Sequence, residues 1–446
     1  MFDFAPTKTR CSALLAIMLA GMIPHSYAAD LMEVYALALD SDPAFRRVAA
    51  SKRAILELRP QALAQLLPSL NGTASTFENN QDISSAFVVG NQGSELDFNS
   101  HGYSLNLVQP IFRRDRFLRY RQAGSQIKQA DAELMAAQDD LIVRVAERYF
   151  LVLGSMDNLE FAQAEKRSLS RQLDQAKQRF EVGLTAITDV QEAQAGYDRA
   201  VAQEIEAVNL LDGAHERLRE VAGQYFADLS TLGEEVPLLA PDPQDIDRWT
   251  ETALTQNLDV TASLYAVDVA REEIRVRSAG HYPTLDLQAR GGYDKTGGRF
   301  SDTKIHSTAV GIELNVPIYQ GGYVSSRTRE AQQRLDERLE LLELARRGAQ
   351  RLTRESYLSV ISGISQVDAL KQALVSTETA LEATQAGFDV GTRTAVDVVA
   401  AERATLQARR DYARARYDYL LNTLRLRQAA GTLSDQDLSH INGWLN

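Results

Sequence analysis

"FEVGLTAITDV" at 180–190 and "FDVGTRTAVDV" at 388–398 are one phrase written twice. Phe180/Phe388, Val182/Val390, Gly183/Gly391, Asp189/Asp397 and Val190/Val398 recur at a constant offset of 208. Each copy interrupts a long tract rich in Ala, Leu, Gln, Glu and Arg, with no proline between Pro110 and Pro237 and none after Pro317. Such residues are good helix formers. Arg113 to Phe180 is 68 residues and Tyr323 to Phe388 is 66, each about 100 Å of helix at ~1.5 Å per residue. A glycine just past a helix takes up the left-handed backbone that stops it. Thr188-Asp189-Val190-Gln191 reads as a capping box for the next helix, with Asp397 in the equivalent first turn. Each phrase is therefore the tip of a long helical hairpin. The simpler alternative is that both aspartates only favour a helix start.

The helices pack along their lengths. Val396, Val399, Leu406, Ala413, Tyr417, Leu420 and Leu424 follow a three-to-four spacing, interrupted by Arg403 and Arg410. Breaks in the long helices are expected at Gly154–Ser155 and Ser362–Gly363, again 208 apart. The repetition extends outward: "LVQPIF" (107–112) matches "LNVPIY" (314–319), "LLPSL" (66–70) matches "HYPTL" (281–285), and Ala222-Gly223 matches Ala430-Gly431. The chain is a tandem duplication. Its expected units are a leader at 1–28, a first repeat at 29–225, a linker at 226–245, a second repeat at 246–430 and a C-terminal segment at 431–446. The linker "FADLSTLGEEVPLLAPDPQD" has three prolines and no helical period.

Composition limits the function. With 446 residues, 44% hydrophobic and 24% charged, the chain is foldable, and its net charge of −12 argues against general nucleic-acid binding. Lys8 and Arg10 precede the apolar "ALLAIMLAGMI" (13–23), and "SYA" (26–28) places small residues for cleavage after Ala28, the pattern of a secretory signal. Cys11, the single cysteine, leaves with it. No later stretch is long and apolar enough for a spanning helix.

Between the paired prolines the period changes to two. Leu285, Leu287, Ala289 and Tyr293 alternate with Asp286, Gln288 and Arg290; Val310, Ile312, Leu314 and Val316 alternate with Gly311, Glu313 and Asn315. Tyr103, Leu105 and Leu107 do the same in the first copy. With 79–100 and 294–304 read as loops, each copy carries one hairpin of strands about 10 residues long, enough to cross a bilayer when tilted. A soluble half-buried hairpin is the alternative. Four strands cannot close a barrel in lipid without leaving unpaired edges, so spanning strands require several chains to pool them.

"FEVGLTAITDVQEAQAGYDRA" (180–200), "NVPIYQGG" (315–322) and "RARYDYLLNTLRLRQAAGTLSDQDL" (414–438) resemble the TolC family of outer-membrane exit ducts. The resemblance covers the chain from "LMEVYALALDSDP" (31–43) onward. It implies a mixed, mainly α fold: tandem helical hairpins forming a periplasmic tunnel, and four strands per chain in a homotrimeric twelve-stranded barrel surrounded by outer-membrane lipid. It also implies a mixed belt around the helices from the linker and C-terminal segment. A periplasmic adaptor and an inner-membrane transporter, ABC-type or proton-driven, would dock at the tips through Val182, Gly183, Leu184, Val390, Gly391 and Thr392. Cargo would be polypeptides, drugs or both. The implied gate sets Arg393 against Thr188 and Asp189, with Asp397 forming a ring of converging carboxylates, each raising the others' pKa, at the tunnel's narrowest point. Phe388 stands where the family has a tyrosine. Ala400 stands where a second aspartate would follow Asp397 one turn on.

No enzyme is expected, nor a cofactor or metal: phosphate-binding loops, HExxH and GxGxxG are absent, and the histidines at 101, 215, 281, 306 and 440 are scattered. The competing functional class is a periplasmic adaptor, which also has helical hairpins but ordinarily one, with a membrane anchor. A coiled-coil scaffold leaves the strands unexplained.

Overall fold

A computed structural model describes residues 28–83, 94–233, 236–297 and 302–446. The leader expected at 1–28 lies, except for Ala28, outside the described residues. In chain order the elements are α1 (Leu31–Ser41), α2 (Pro43–Leu56), α3 (Leu58–Ala64), β1 (Ser69–Ile83), β2 (Ser94–Phe112), α4 (Arg114–Glu181) and α5 (Ile187–Ala222). Then come α6 (Ile246–Gln256), α7 (Leu258–Ser278), β3 (Thr284–Thr296), β4 (Thr303–Asn315), α8 (Tyr323–Asp389), α9 (Ala395–Ala430) and α10 (Asp435–Asn442).

The helices form four parallel rods. Helices α4 and α8 are two of them, 68 and 67 residues without interruption. The other two are stacked pairs. The end of α5 meets the α1–α2 joint, where Ser41 Oγ donates to Val221 O at 3.1 Å. The end of α9 meets the α6–α7 joint, where Asn257 Nδ2 donates to Ala429 O at 2.9 Å. Asp42 and Asn257 cap the sheet-side halves, accepting from Phe45 N at 2.7 Å and from Asp259 N and Val260 N at 3.0 and 3.1 Å. Near the sheet the lateral order is α2/α3, α4, α7, α8; toward the tips it is α5, α4, α9, α8.

The expected breaks at Gly154–Ser155 and Ser362–Gly363 do not occur; both positions lie inside continuous helix. Neither glycine is required for space, since a Cβ at either would sit in ordinary contact with its neighbour. A Cβ at Gly154 would lie 3.9 Å from the Tyr417 ring, and one at Gly363 would lie 3.8 Å from Tyr419. Helix α9 thus presses an aromatic side chain onto each long rod. Tyr417 stacks on Phe150 with centroids 5.5 Å apart and donates to Asp157 Oδ2 at 2.8 Å. Burial raises the Tyr417 hydroxyl well above the ordinary phenol range, so it stays a donor. Tyr419 holds Leu239 of the linker through both Leu239 N (2.8 Å) and Leu239 O (3.0 Å).

The main core lies at this waist, where Leu31, Val34, Leu141, Val145, Tyr149, Leu218, Leu420, Leu424 and Leu438 pack together. Three distant segments converge there: Ala29 bridges Leu229, and Leu232 bridges Leu445. The buried Tyr149 hydroxyl lies 3.1 Å from Ala29 O and 2.7 Å from Ser230 O.

The sheet is antiparallel in the order β1-β2-β3-β4, so each repeat gives one hairpin and β2 pairs with β3 across the repeats. The strands have 15, 19, 13 and 13 residues, longer than expected from sequence. Residues 79–83 and 94–100 had the composition of a loop, yet their polar side chains bond across the hairpin. Asn79 Nδ2 donates to Ser100 Oγ and Asn80 Nδ2 to Asp97 Oδ1, both at 2.8 Å. Register puts Leu70, Leu105, Leu107, Ala289 and Val310 on one face, with Asn71, Ser104, Asn106, Arg290 and Ser307 on the other. On the apolar face Tyr103, Tyr293 and His306 form a cross-strand row, with centroids 5.6 and 4.8 Å apart. From Tyr103 to Phe112 is nine steps along β2, about 30 Å, or roughly 23 Å of depth once tilted by about 40°. That matches an apolar band bounded by aromatic side chains. On the polar face a groove contains Arg290 and Asp294, with Gly102 making room for the Asp294 carboxylate. Among the described residues no helix is long and apolar enough to cross a membrane.

Candidate functional site at the hairpin tips

The two tips have the same backbone. Leu184 N donates to Arg179 O and Thr392 N to Gly387 O, both at 2.8 Å. Gly183 N donates to Phe180 O at 2.9 Å and Gly391 N to Phe388 O at 3.0 Å. Gly183 has φ 76° and Gly391 φ 79°. This is the glycine-stopped helix end expected from the sequence, with each glycine in the left-handed region. Around each turn apolar side chains face solvent: Val182, Leu184, Val390 and Val396 are 63–76% exposed, and Phe180 and Phe388 lie beside them at 42% and 40%.

The restarts of the two helices differ. In the second copy Thr394 caps α9 and forms a complete capping box with Asp397. Asp397 Oδ2 accepts from Thr394 N and Oγ1, both at 2.8 Å, and Thr394 Oγ1 accepts from Asp397 N at 3.3 Å. In the first copy the expected box at Thr188 is absent. The cap position is Ala186, which has no side-chain acceptor, and Thr188 is already helical. Asp189 instead accepts from Thr185 Oγ1 and, at 3.4 Å, from Thr188 Oγ1. Ala186, two residues before Thr188, is the equivalent of Thr394, and alanine has no oxygen to complete a box.

The Asp397 carboxyl is held below its usual range, first by the Thr394 backbone N–H, then by the Thr394 hydroxyl, with Arg393 adding to it. Within one chain this shift is opposite to the rise expected of a ring of converging carboxylates. Arg393 has no carboxylate within ion-pair distance among the described residues, so this chain alone brings Arg393 and Asp189 into no contact. Its stem crosses α8 at Gly387, where a Cβ would meet Arg393 Cγ at 2.7 Å. Gly387 O accepts from Thr392 N, Thr392 Oγ1 and Arg393 N at 2.8, 3.0 and 3.1 Å. Gly387 therefore positions Arg393. The sequence offered one signal for it: glycine stands where the first copy has Arg179.

Above the tips, a polar clamp ties the first hairpin to the second. Arg403 of α9 pairs with Glu165 of α4 at 2.5 Å. Glu402 accepts from Ser168 Oγ and lies 3.8 Å from Arg171. Glu165 and Glu402 are 21% and 23% exposed, Arg403 45%. Arg403 was visible in the sequence only as an interruption of the apolar spacing. Its partner, 238 positions earlier, left no local mark.

The outer membrane efflux protein model matches residues 34–224 and 249–432, one segment for each repeat. The chain belongs to the outer membrane efflux protein family. It is 39% identical over 430 residues to the outer membrane protein TolC of Vibrio cholerae, covering 94% of both chains. It is 32% identical over 416 residues to the alkaline protease secretion protein AprF of Pseudomonas aeruginosa, covering 93% of this chain and 86% of that one. Its fold matches the Campylobacter jejuni CmeC outer membrane channel with a TM-score of 0.77 at 17% identity, over 99% and 98% of the two chains. As a member of this family of outer-membrane transport proteins, it is a channel component of the outer membrane, with its helical rods in the periplasm. The adaptor alternative falls with that assignment.

Proposed function

We propose that three copies pool their strands into a twelve-stranded barrel and their rods into a periplasmic tunnel, and that the repeats at 29–225 and 246–430 supply six tips to its entrance. The unpaired outer edges of β1 and β4 carry this reading, because lipid cannot satisfy them and a neighbouring chain can. The polar sheet face lines the barrel, and the apolar face with its aromatic row meets lipid. The tips form the gate. Arg393 reaches Asp189 of a neighbouring protomer, with Thr188 beside it, while Phe388 lacks the hydroxyl that would strengthen the contact. Asp397 faces the axis as a single carboxylate ring, since Ala400 removes a second.

The exposed Val182-Gly183-Leu184 and Val390-Gly391-Thr392 turns are docking points for a periplasmic adaptor that couples the duct to an inner-membrane transporter. Polypeptides and drugs are both cargo classes that fit a generic polar wall. Purified protein in planar bilayers tests the reading: the wild type gives small, cation-favouring steps and Arg393→Ser larger ones. Wild-type protein that never forms channels would overturn the duct, and an unchanged conductance in Arg393→Ser would overturn the latch.

A further inference from the structure

The helix ends beside the sheet carry charge opposite to that of the chain. Residues 57–68, 113–121, 271–283 and 316–330 comprise the sheet-side turns of α3, α4, α7 and α8 with their connections to the strands. They hold eleven arginines, no lysine and five acidic residues, a net of +6, whereas the chain as a whole is −12 and the remainder therefore −18. Several of these arginines have acidic neighbours: Arg121 and Arg275 share Glu272 at 3.5 and 2.8 Å, and Arg277 pairs with Glu273 at 2.5 Å.

Arg59, Arg114 and Arg116 have no carboxylate partner among the described residues. Arg59 Nε donates to the Tyr120 hydroxyl at 3.2 Å, and Arg116 donates to Gln65 O at 2.7 Å. Arg114 lies over the Tyr282 ring, 4.2 Å from its centroid. Beside them Phe117, Leu63 and Leu67 are 53%, 43% and 52% exposed. No side chain caps the N-terminus of α4, which begins in the middle of this cluster.

We infer that these arginines form a collar that binds the phosphate groups of phospholipids in the periplasmic leaflet, with preference for anionic headgroups. The position follows from the chain: Arg114 and Arg116 lie two and four residues beyond the end of β2. Exposed apolar and aromatic side chains flanked by arginine are the usual composition of a membrane interface. The planar guanidinium matches phosphate oxygens with two parallel hydrogen bonds, which an ammonium cannot do. The uncapped helix end adds free N–H groups and a favourable dipole for an anion.

The inference rests on the strands spanning the outer membrane, and failure of that premise would appear separately, as wild-type protein that inserts into no vesicle of any composition. The test is thermal stability of the purified detergent-solubilised protein, titrated with phosphatidylglycerol, phosphatidylcholine or inorganic phosphate, for the wild type and for Arg59→Gln/Arg114→Gln/Arg116→Gln. Phosphatidylglycerol should raise the wild-type melting temperature at lower concentration than phosphatidylcholine. The triple variant should need roughly a hundredfold more phosphatidylglycerol, from about fivefold per arginine near a lipid surface. Equal response to the two lipids, or a preference kept by the variant, overturns the inference. So does inorganic phosphate acting as strongly as phosphatidylglycerol, which would mark a free-anion site. Should the glutamine variant fail to assemble, the wild type decides: high salt must erase the headgroup preference, and a preference that survives salt refutes the collar.

Discussion

Arg403→Gln isolates the clamp between the hairpins. The Arg403–Glu165 pair is 2.5 Å apart, with side chains 45% and 21% exposed, between a solvated surface pair and a buried one. Surface pairs contribute about 0.2–1 kcal/mol, and breaking buried ones costs about 3–5; after discounting for solvent, about 1 kcal/mol per clamp is a fair value. If the tips move one protomer at a time, removing the pair shifts each closed–open equilibrium about fivefold. If three protomers open in concert, the contributions multiply to about 3 kcal/mol, or roughly 150-fold. Single-channel recording of the purified protein separates these outcomes, through graded sub-steps in the first case and one large step in the second. The charge swap Arg403→Glu with Glu165→Arg should restore the wild-type open fraction. A swap that opens the channel as much as the single change, or an Arg403→Gln channel that behaves like the wild type, would refute the clamp.

Asp397→Ala should lower cation selectivity and Ala400→Asp should strengthen trivalent-cation block; an unchanged reversal potential with a lowered melting temperature would reduce Asp397 to its capping role. Asp139, pushed up to about 7 by burial and then by Asp435, binds more protons folded than unfolded. Its contribution is therefore most favourable below about pH 4 and is lost as pH rises through about 7. Asp139→Asn should melt higher than the wild type at pH 8, by the equivalent of roughly 1–2 kcal/mol after solvent screening, and the gap should close near pH 4. A gap independent of pH would assign the effect to another group. Gly154→Ala should stabilise the chain by about 0.5–1 kcal/mol through helix propensity, because a Cβ there still clears Tyr417 at 3.9 Å. Gly154→Leu should destabilise it, and equal losses from both would mean the helix needs glycine itself.

The features legible in the sequence are those set by local rules or by repetition. Gly183 and Gly391 announced their turns because a left-handed residue after a long helix has few alternatives. The apolar alternation at 285–293 and 310–316 announced strands because period two has one structural meaning. The rest is decided by distant partners. Gly154 and Gly363 looked like breaks because nothing local shows Tyr417 and Tyr419 arriving from another helix. Residues 79–83 and 94–100 looked like a loop because their pairing energy lies in side chains facing each other across a hairpin. At the tips, Thr394–Asp397 had the spacing of a capping box, but Thr188 distracted from Ala186. The Glu165–Arg403 clamp lay beyond any local pattern.

The unlike caps at Ala186 and Thr394 have a combinatorial effect. In a ring built from three chains, the two kinds of hairpin must alternate, so every mutation at a tip is written into every second position and never into neighbours. A restart with a complete capping box always stands between two whose cap residue has no side-chain acceptor. Evolution can therefore adjust one kind of member in such a ring while leaving the intervening kind unchanged, a division of labour that six identical subunits could not acquire.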